Sequence, residues 1–200
     1  TFFCLMFIVL LSSTFNAQSI NDLMGKSNMG YQSISVTVGG SFIVTGTFPA
    51  SVTERVDQFV TRIHTEAKEI SLRNITDSKL LLQINEELKK YSLRNILLKR
   101  SNGEEIKLDL EMFHIDGDLV NNPYLKNDDV LIFTAVDLER NFFSISGAVN
   151  KPGKFHFVEG DNLKTALKLA MGLNPAYQNL TKAEVNRLSY DGQSIQNFEI

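Results

Sequence analysis

The sequence predicts an α+β protein in which a small unit occurs twice. Two observations carry this prediction. Short segments of alternating apolar and polar residues are joined by tight-turn residues, and segments with apolar residues at helical spacing lie between these hairpins. The order hairpin, helix, hairpin then returns in the second half of the chain. Clustered hairpins with few helices favour the α+β class, and periodicity alone supports a duplicated small unit and no closer fold.

The first unit opens with a predicted hairpin. Residues 33–38 and 42–48 alternate, and Gly39-Gly40 between them predicts the turn. Ser51 and Glu54 have the spacing of a capping box, which predicts that a helix begins there. Six apolar residues recur at helical spacing behind that box: Val56, Phe59, Val60, Ile63, Ala67 and Ile70.

A second predicted helix, over about 78–91, is an insertion without a counterpart later in the chain. A clear hairpin follows it over 95–110, because Asn102-Gly103 supplies the positive φ that tight turns need. Alternation over 129–136 predicts one further strand.

The pattern returns in the second unit. Residues 143–147 repeat the order of apolar residues and glycine found at 42–46, and the turn 151–153 follows. Asp161 is predicted to cap a helix that ends near Gly172. A last hairpin over 186–200 turns at Asp191-Gly192.

The N-terminal residues indicate a secretory signal. The run 2–11 is apolar without interruption and is too short to cross a bilayer core of roughly 30 Å. We predict an N-terminally truncated signal peptide over 1–17, cleaved after Ala17, and a linker over 18–32. The alternative is a buried strand or helix of the mature fold. Cys4 lies inside the run, so the mature chain would have no cysteine, which suits an oxidising compartment.

Composition excludes several classes of function. The 200 residues are 43% hydrophobic and 22% charged, which is typical of a globular protein. The net charge of −3 provides no field that would attract nucleic acid or an anionic membrane. A single cysteine excludes an internal disulfide and a thiolate zinc cage.

Specific motifs in the stretch 94–173 resemble the soluble-ligand-binding β-grasp (SLBB) domains of the polysaccharide export family. They lie at 94–100, 102–103, 116–118, 122–125, 129–132, 145–149, 151–155 and 163–173. Family members usually carry Gly where Asp128 stands and a Gly pair where Met171-Gly172 stands, so these two turns are expected to differ locally. The export-domain motif that precedes such units in outer-membrane translocons is not visible, which weakens any role of this chain as the pore itself.

The resemblance implies tandem β-grasp-like units, each a small mixed sheet with a packed helix. The first unit is predicted over 33–136, with the inserted helix, and the second, truncated, over 141–200. The implied protein is secreted across the inner membrane and lies in the periplasm or at the outer membrane. Its implied partners are polysaccharide, other subunits of an export complex and copies of itself, and nucleic acid is not among them.

No catalytic constellation is visible, so we expect no enzyme and no cofactor. The histidines His64, His114 and His156 are far apart and are interpreted as structural. Asp116-Gly117-Asp118 has the opening of a calcium loop, but Val120 offers no side-chain oxygen at the next ligand position, so we interpret it as a polar turn.

Two loops have the composition of a glycan site, since sugars offer hydroxyl groups and flat C–H faces. The candidate ligand-binding residues are Asn121, Asn122, Tyr124, Asn150, Lys151 and Phe155. The alternative is that these residues serve turn geometry and that Tyr124 belongs to the core.

The functional prediction is a non-catalytic glycan-binding or assembly module of capsular or exopolysaccharide export. Two alternatives stay open. The chain could be a purely structural oligomerisation or docking module of an envelope complex, or an accessory part of a larger enzyme that extends beyond residue 200.

Overall fold

The computed structural model describes residues 32–73, 75, 77–87, 91–180, 182–188 and 194–199. The predicted signal peptide, the predicted linker up to residue 31 and the predicted turn at 191–192 lie outside the described residues. Within them the chain is a mixed α+β protein, as the sequence predicts. No helix among the described residues is long and apolar enough to span a membrane.

The first unit contains five strands and three α-helices in the described ranges. In chain order they are β1 (Ser33–Gly40), β2 (Gly46–Ser51), α1 (Val56–Leu72), α2 (Ser78–Glu87), β3 (Ile96–Lys99), β4 (Glu105–Leu108), α3 (Leu110–Asp116) and β5 (Asp129–Phe133). A short 3₁₀ turn, Leu119–Asn121, lies between α3 and β5.

All five strands form one sheet in the order β2-β1-β5-β3-β4. The last strand lies in the middle: β5 runs parallel to β1, with Val36 opposite Asp129, and antiparallel to β3, with Leu98 opposite Leu131. Strand β5 therefore joins two hairpins that would otherwise be separate.

The core of the first unit lies between this sheet and α1. Alternate residues of each central strand are buried, among them Val36, Leu98 and Leu131, which are 0% exposed. Phe59 and Ile63 on α1 are buried with them, so the helical face predicted from the sequence is the packed face. Each such side chain stabilises the fold by about 1.5–3 kcal/mol.

The first turn lies later than predicted. Gly39 and Gly40 belong to β1, and the chain turns over 41–45. Gly40 has φ +78°, and a Cβ atom there would lie 2.1 Å from the Phe133 carbonyl oxygen. Glycine is therefore required at this position because β5 approaches the backbone closely.

Helix α1 also begins later than the predicted capping box. The Ser51 amide donates to the Glu54 carboxylate at 3.2 Å, as expected, but the helix starts at Val56. The Arg55 amide donates to the Gln58 side chain at 3.1 Å instead. Glu54 lies before the helix and forms an ion pair with Arg62 at 3.0 Å.

Two predicted boundaries are too long. The described part of α2 reaches Glu87, and Tyr91, which was predicted to belong to this helix, forms a β-bridge with Ala135. Strand β5 ends at Phe133 rather than at 136; beyond it the Thr134 carbonyl accepts the Ser92 amide at 2.8 Å.

The second unit is smaller and more open. Its elements are β6 (Phe142–Ile145), β7 (Gly153–His156), α4 (Leu163–Leu169), β8 (Glu184–Leu188) and β9 (Ile195–Glu199). In the described residues β6-β7 and β8-β9 are separate two-stranded sheets. The core cluster there has four buried members, Val149, Phe155, Leu169 and Ala170, and Met112 and Ile115 from α3 pack against it.

Asp161 does not cap α4, contrary to the prediction from sequence. The side chain of Asn162 caps it, accepting from the Thr165 amide at 3.1 Å. The Asp161 carboxylate binds Arg94 of the first unit instead, where it meets a buried positive charge.

Candidate functional site

Three of the six candidate ligand residues lie in the loop between α3 and β5. Asn122 is 2% exposed, and its side-chain oxygen accepts from the Asp57 amide at 2.9 Å. The side-chain oxygen of Asn121 accepts from the Asp109 amide at 3.1 Å. Both amide oxygens are therefore engaged by backbone N–H groups at the starts of helices α1 and α3.

Tyr124 in the same loop offers an exposed aromatic surface. Tyr124 is 51% exposed, so it does not belong to the core, which was the alternative interpretation of the sequence. The Arg55 guanidinium lies 3.8 Å from the ring centroid, and Arg100 donates twice to the Tyr124 carbonyl at 3.2 Å. Stacking on one cation and anchoring by another hold the ring in place.

The other three candidates lie in the second unit. The Asn150 side chain donates to the carbonyls of Met171 at 2.8 Å and Leu173 at 3.2 Å, so it holds the end of α4. Phe155 is 6% exposed and stacks on Phe143 with the ring centroids 5.6 Å apart. Lys151 is exposed.

Among the described residues, no hydrogen bond or ring contact joins these two triplets. Asn121 and Asn122 support the starts of α3 and α1, and Asn150 supports the end of α4. Of the six, Tyr124, Asn150 and Lys151 are exposed, Asn121 is half-buried, and Asn122 and Phe155 are buried.

A buried ion network lies between the two units. The guanidinium of Arg94, 2% exposed, binds Asp109 of its own unit through Nε at 2.8 Å. It binds both carboxylate oxygens of Asp161, at 3.0 and 2.6 Å, and the His156 carbonyl. Burial alone would lower the pKa of Arg94, but hydrogen bonds and charge from Asp161 and Asp109 raise it above its ordinary value.

The sequence contains a signal for Arg94 that the prediction did not use. Ser92, Arg94, Ile96 and Leu98 alternate along the chain, and all four are buried. A charged residue on the inward side of a strand needs a compensating partner, because an isolated charge in a core is strongly unfavourable. The partner, Asp161, lies 67 residues away, which sequence spacing cannot show.

His156 lies beside this network and is 9% exposed. Its Nδ1 lies 2.9 Å from the Ser92 hydroxyl, and its Nε2 lies 3.1 Å from Nδ2 of Asn141. The Asn141 Nδ2 group also donates to the Phe157 carbonyl at 3.1 Å, and this carbonyl can only accept. The side of the amide that faces the ring is therefore the NH₂ group, and Nε2 accepts from it.

This fixes the tautomer. Because Nε2 accepts, the ring proton lies on Nδ1 and is donated to the Ser92 hydroxyl, which also accepts the Arg94 amide at 3.0 Å. Burial lowers the pKa of His156, and the charge of Arg94 lowers it further, while Asp137, Asp161 and Glu111 act in the opposite direction. The ring is thus held neutral.

Ser92 and His156 have the composition of a nucleophile and base, but their environment is that of a structural contact. Ser92 is 2% exposed, and its hydroxyl oxygen accepts hydrogen bonds from the ring and from the Arg94 amide. A nucleophile needs an accessible oxygen whose proton passes to the base. Here the donation runs from the ring to the serine.

The exposed side of the junction carries a second ion pair and an apolar groove. Lys168 binds Asp116 at 2.8 Å, and this hydrogen bond lowers the pKa of Asp116. Next to it an open groove of about 540 Å³ is lined mainly by Ile115, Leu163, Leu167 and Met171. None of the six candidate residues lines this groove.

The segment Asp116-Gly117-Asp118 forms the polar turn that the sequence predicts. The Asp116 carboxylate accepts the Asp118 amide, and the Asp118 carboxylate accepts the Val120 amide, both at 3.0 Å. Among the described residues there is no group of three or more His, Cys, Asp or Glu side chains that could hold a metal ion.

No protein-family model matches this chain, and no curated protein matches it.

Proposed function

We propose that this chain is a non-catalytic module of a bacterial polysaccharide-export system, located in the periplasm or at the outer membrane. The observation that carries the proposal is the strand order β2-β1-β5-β3-β4, with α1 packed on one face of the sheet. A hairpin, a helix, a second hairpin and a central parallel strand make up the β-grasp arrangement. The motifs at 94–173 resemble the β-grasp domains of this export family, so topology and motifs favour the same assignment.

The second unit is proposed to be a further β-grasp-like copy. Its order of elements, β6-β7, α4, β8-β9, repeats that of β1-β2, α1, β3-β4. This repetition supports a tandem arrangement, in which the described part of the second copy contains the two hairpins and the helix.

Polysaccharide is the proposed ligand, and Tyr124 is its proposed contact. Sugar rings stack their C–H faces on aromatic side chains, and guanidinium groups donate to their hydroxyls. The exposed Tyr124 ring, with the Arg55 guanidinium at 3.8 Å, combines these two features. Asn122 and Asn150 are proposed to shape the loops rather than to touch sugar, because their amide groups already bind the backbone.

Calorimetric titration of the purified chain with acidic and neutral capsular polysaccharides tests this proposal. We expect saturable binding that weakens about tenfold in Tyr124→Ala, since an aromatic stacking contact contributes about 1–1.5 kcal/mol. Tyr177→Ala is the matched control, because Tyr177 is a comparably exposed tyrosine, 56%, in the second unit. The proposal of glycan binding fails if no polysaccharide binds, or if both variants lose affinity equally.

A purely structural docking role is the second candidate, and the apolar groove beside α4 favours it. Leu163 and Met171 in this groove are 40% and 56% exposed. Apolar surface of this kind commonly marks an interface between proteins, and we propose a second copy of the chain as the partner. Clear oligomers in light scattering that dissociate in Leu163→Lys, without glycan binding, would favour this candidate over the first.

A further inference from the structure

We propose that the junction between the two units is a pH-sensitive coupling. The units are locked together while the His156 imidazole is neutral, and the lock opens when the ring takes up a proton. This coupling acts between the two units and does not depend on whether the chain binds polysaccharide or protein.

The surroundings of His156 fit the neutral ring. Nε2 accepts from the Asn141 amide at 3.1 Å, and Nδ1 donates to Ser92 at 2.9 Å. The imidazolium carries a proton on both nitrogens. Its Nε2–H would face the NH₂ group of Asn141, which leaves two donors in contact.

Rotating the amide does not relieve this contact. The Asn141 side chain also donates to the Phe157 carbonyl at 3.1 Å. If the amide rotated to place Oδ1 beside the ring, Oδ1 would also face the Phe157 carbonyl oxygen, and two acceptors would be in contact. Neither orientation satisfies both neighbours, so protonation must displace the ring or Asn141.

Charged side chains face the His156 ring from several elements. Arg94, from the segment before β3, places its guanidinium on the His156 carbonyl and opposes a second positive charge. Asp161 is close, but both of its oxygens bind Arg94, and Asp109 binds the Nε of Arg94. Glu111 on α3 and Asp137 in the connecting segment favour the charged ring.

The balance of these effects lowers the pKa of His156 below its ordinary value of 6.5, with burial as the largest cause. Because the folded state binds this proton more weakly than the unfolded chain, the neutral ring contributes its full stabilisation above pH 6.5. That stabilisation is lost as the pH falls from 6.5 through the lower pKa of the folded state.

The His156 ring is linked directly to the ion network around Arg94. Ser92 accepts from the ring and from the Arg94 amide, and the carbonyl of His156 accepts from the Arg94 guanidinium. A displaced ring therefore disturbs the group that holds Asp161 of the second unit. The remaining ion pairs across the junction, Lys168–Asp116 and Lys107–Glu159, are exposed and weak.

The test follows two quantities in the purified chain between pH 7.5 and 4.5. Carbon-detected NMR reports the titration of the His156 ring, assigned by its absence in His156→Gln. Hydrogen exchange, corrected for its intrinsic pH dependence, reports the amides of Arg94 and Val158, which donate to Ser92 and Asp161.

We expect the His156 midpoint below 6.5 and faster exchange at both amides once the ring is charged, because local opening of the junction exposes both N–H groups. His156→Gln, which stays neutral, should abolish the acid-induced change. His114→Gln is the matched control and should leave it intact, because the ring of His114 is exposed and binds Asp57 at 2.7 Å, away from the junction.

A second variant keeps the test decisive if His156→Gln does not fold. Asn141→Asp places a carboxylate where the imidazolium would need an acceptor, so the ring should titrate at higher pH while the acid-induced rise in exchange shrinks. The proposal is overturned if the ring titrates without a change in exchange, if His156→Gln shows the same acid transition as the unmodified chain, or if Asn141→Asp leaves the ring midpoint unmoved and the rise in exchange undiminished. The first and last of these would make His156 a passive core residue, and the second would assign the transition to the carboxylates of Asp109 and Asp161.

Discussion

The two units share an order of elements, but different contacts hold them together. In the first unit, β5 lies between β1 and β3 and unites both hairpins in one sheet with a large apolar core. In the second unit, the described hairpins form separate sheets, and the small core is extended by Met112 and Ile115 from the first unit. The first unit is therefore stabilised by its own central strand, whereas the second depends on its neighbour.

The buried arginines make the same contrast. Arg100 pairs with Asp129 inside the first unit at 2.8 Å, yet Arg100 Nε and Asp129 Oδ1 are buried without partners among the described residues. Arg94 lies between the units and makes four side-chain hydrogen bonds. The better-satisfied charge is the one that joins the two units, which indicates that their relative position is specified.

Removing one aromatic ring from each core gives the largest expected difference. Phe59→Ala should destabilise the first unit by about 3–5 kcal/mol, because Phe59 is 0% exposed between α1 and the sheet. Phe155→Ala should cost about 3 kcal/mol at most and should leave the first sheet folded. Urea unfolding followed by residue-resolved NMR distinguishes the two. Equal loss of structure in both variants would show that the units unfold as one.

Disconnecting the junction without touching either core should have the next largest effect. Asp161→Asn should destabilise the second unit by about 2–3 kcal/mol, since it removes charged hydrogen bonds from a buried guanidinium. Asp116→Asn is the matched control on the exposed pair with Lys168 and should cost about 0.5 kcal/mol or less. Comparable effects of the two substitutions would contradict a special role for the buried network.

The difference between the units also explains what the sequence could predict. The apolar face of α1 and the hairpin at 102–103 follow from local periodicity and turn chemistry, and both are present. The predicted cap at Asp161 was wrong, because a carboxylate before a helix can cap it or can bind a distant cation, and Arg94 lies 67 residues away. Asn122 and Asn150 are polar residues of a kind that often forms turns. The sequence alone therefore could not distinguish a structural contact with the backbone from a role in ligand binding.

Acid should destabilise the second unit before the first. Burial raises the pKa of Asp129 in the first unit above 3.8, although the Lys126 amide and Arg100 lower it. A raised carboxyl pKa means that the folded state takes up a proton first, so this group does not destabilise the first sheet as the pH falls towards that value. His156 has the opposite sign and weakens the second unit below pH 6.5. Between pH 7 and 5, residue-resolved hydrogen exchange, corrected for its intrinsic pH dependence, should therefore rise in β7 and stay constant in β1 and β3. A simultaneous rise would contradict this order.

The smallest expected effects concern one strained turn in each unit. Asp128 has φ +63° before β5, and Met171 has φ +59° after α4, where the amides of Met171 and Gly172 donate back to Lys168 and Leu167 at 2.8 Å. This pattern is a Schellman ending, whose left-handed residue is most favourable as glycine.

Asp128→Gly and Met171→Gly should each stabilise their unit by roughly 0.5–1 kcal/mol, because glycine adopts positive φ without the strain that a Cβ atom imposes there. The gain should be larger at Met171, since aspartate tolerates the left-handed region better than a long apolar side chain does. Gly172→Ala, at φ +77°, is the control and should destabilise the second unit. Thermal unfolding followed by NMR measures all three variants, and a destabilising Met171→Gly would mean that the side chain of Met171 is packed more usefully in the groove beside α4 than its 56% exposure indicates.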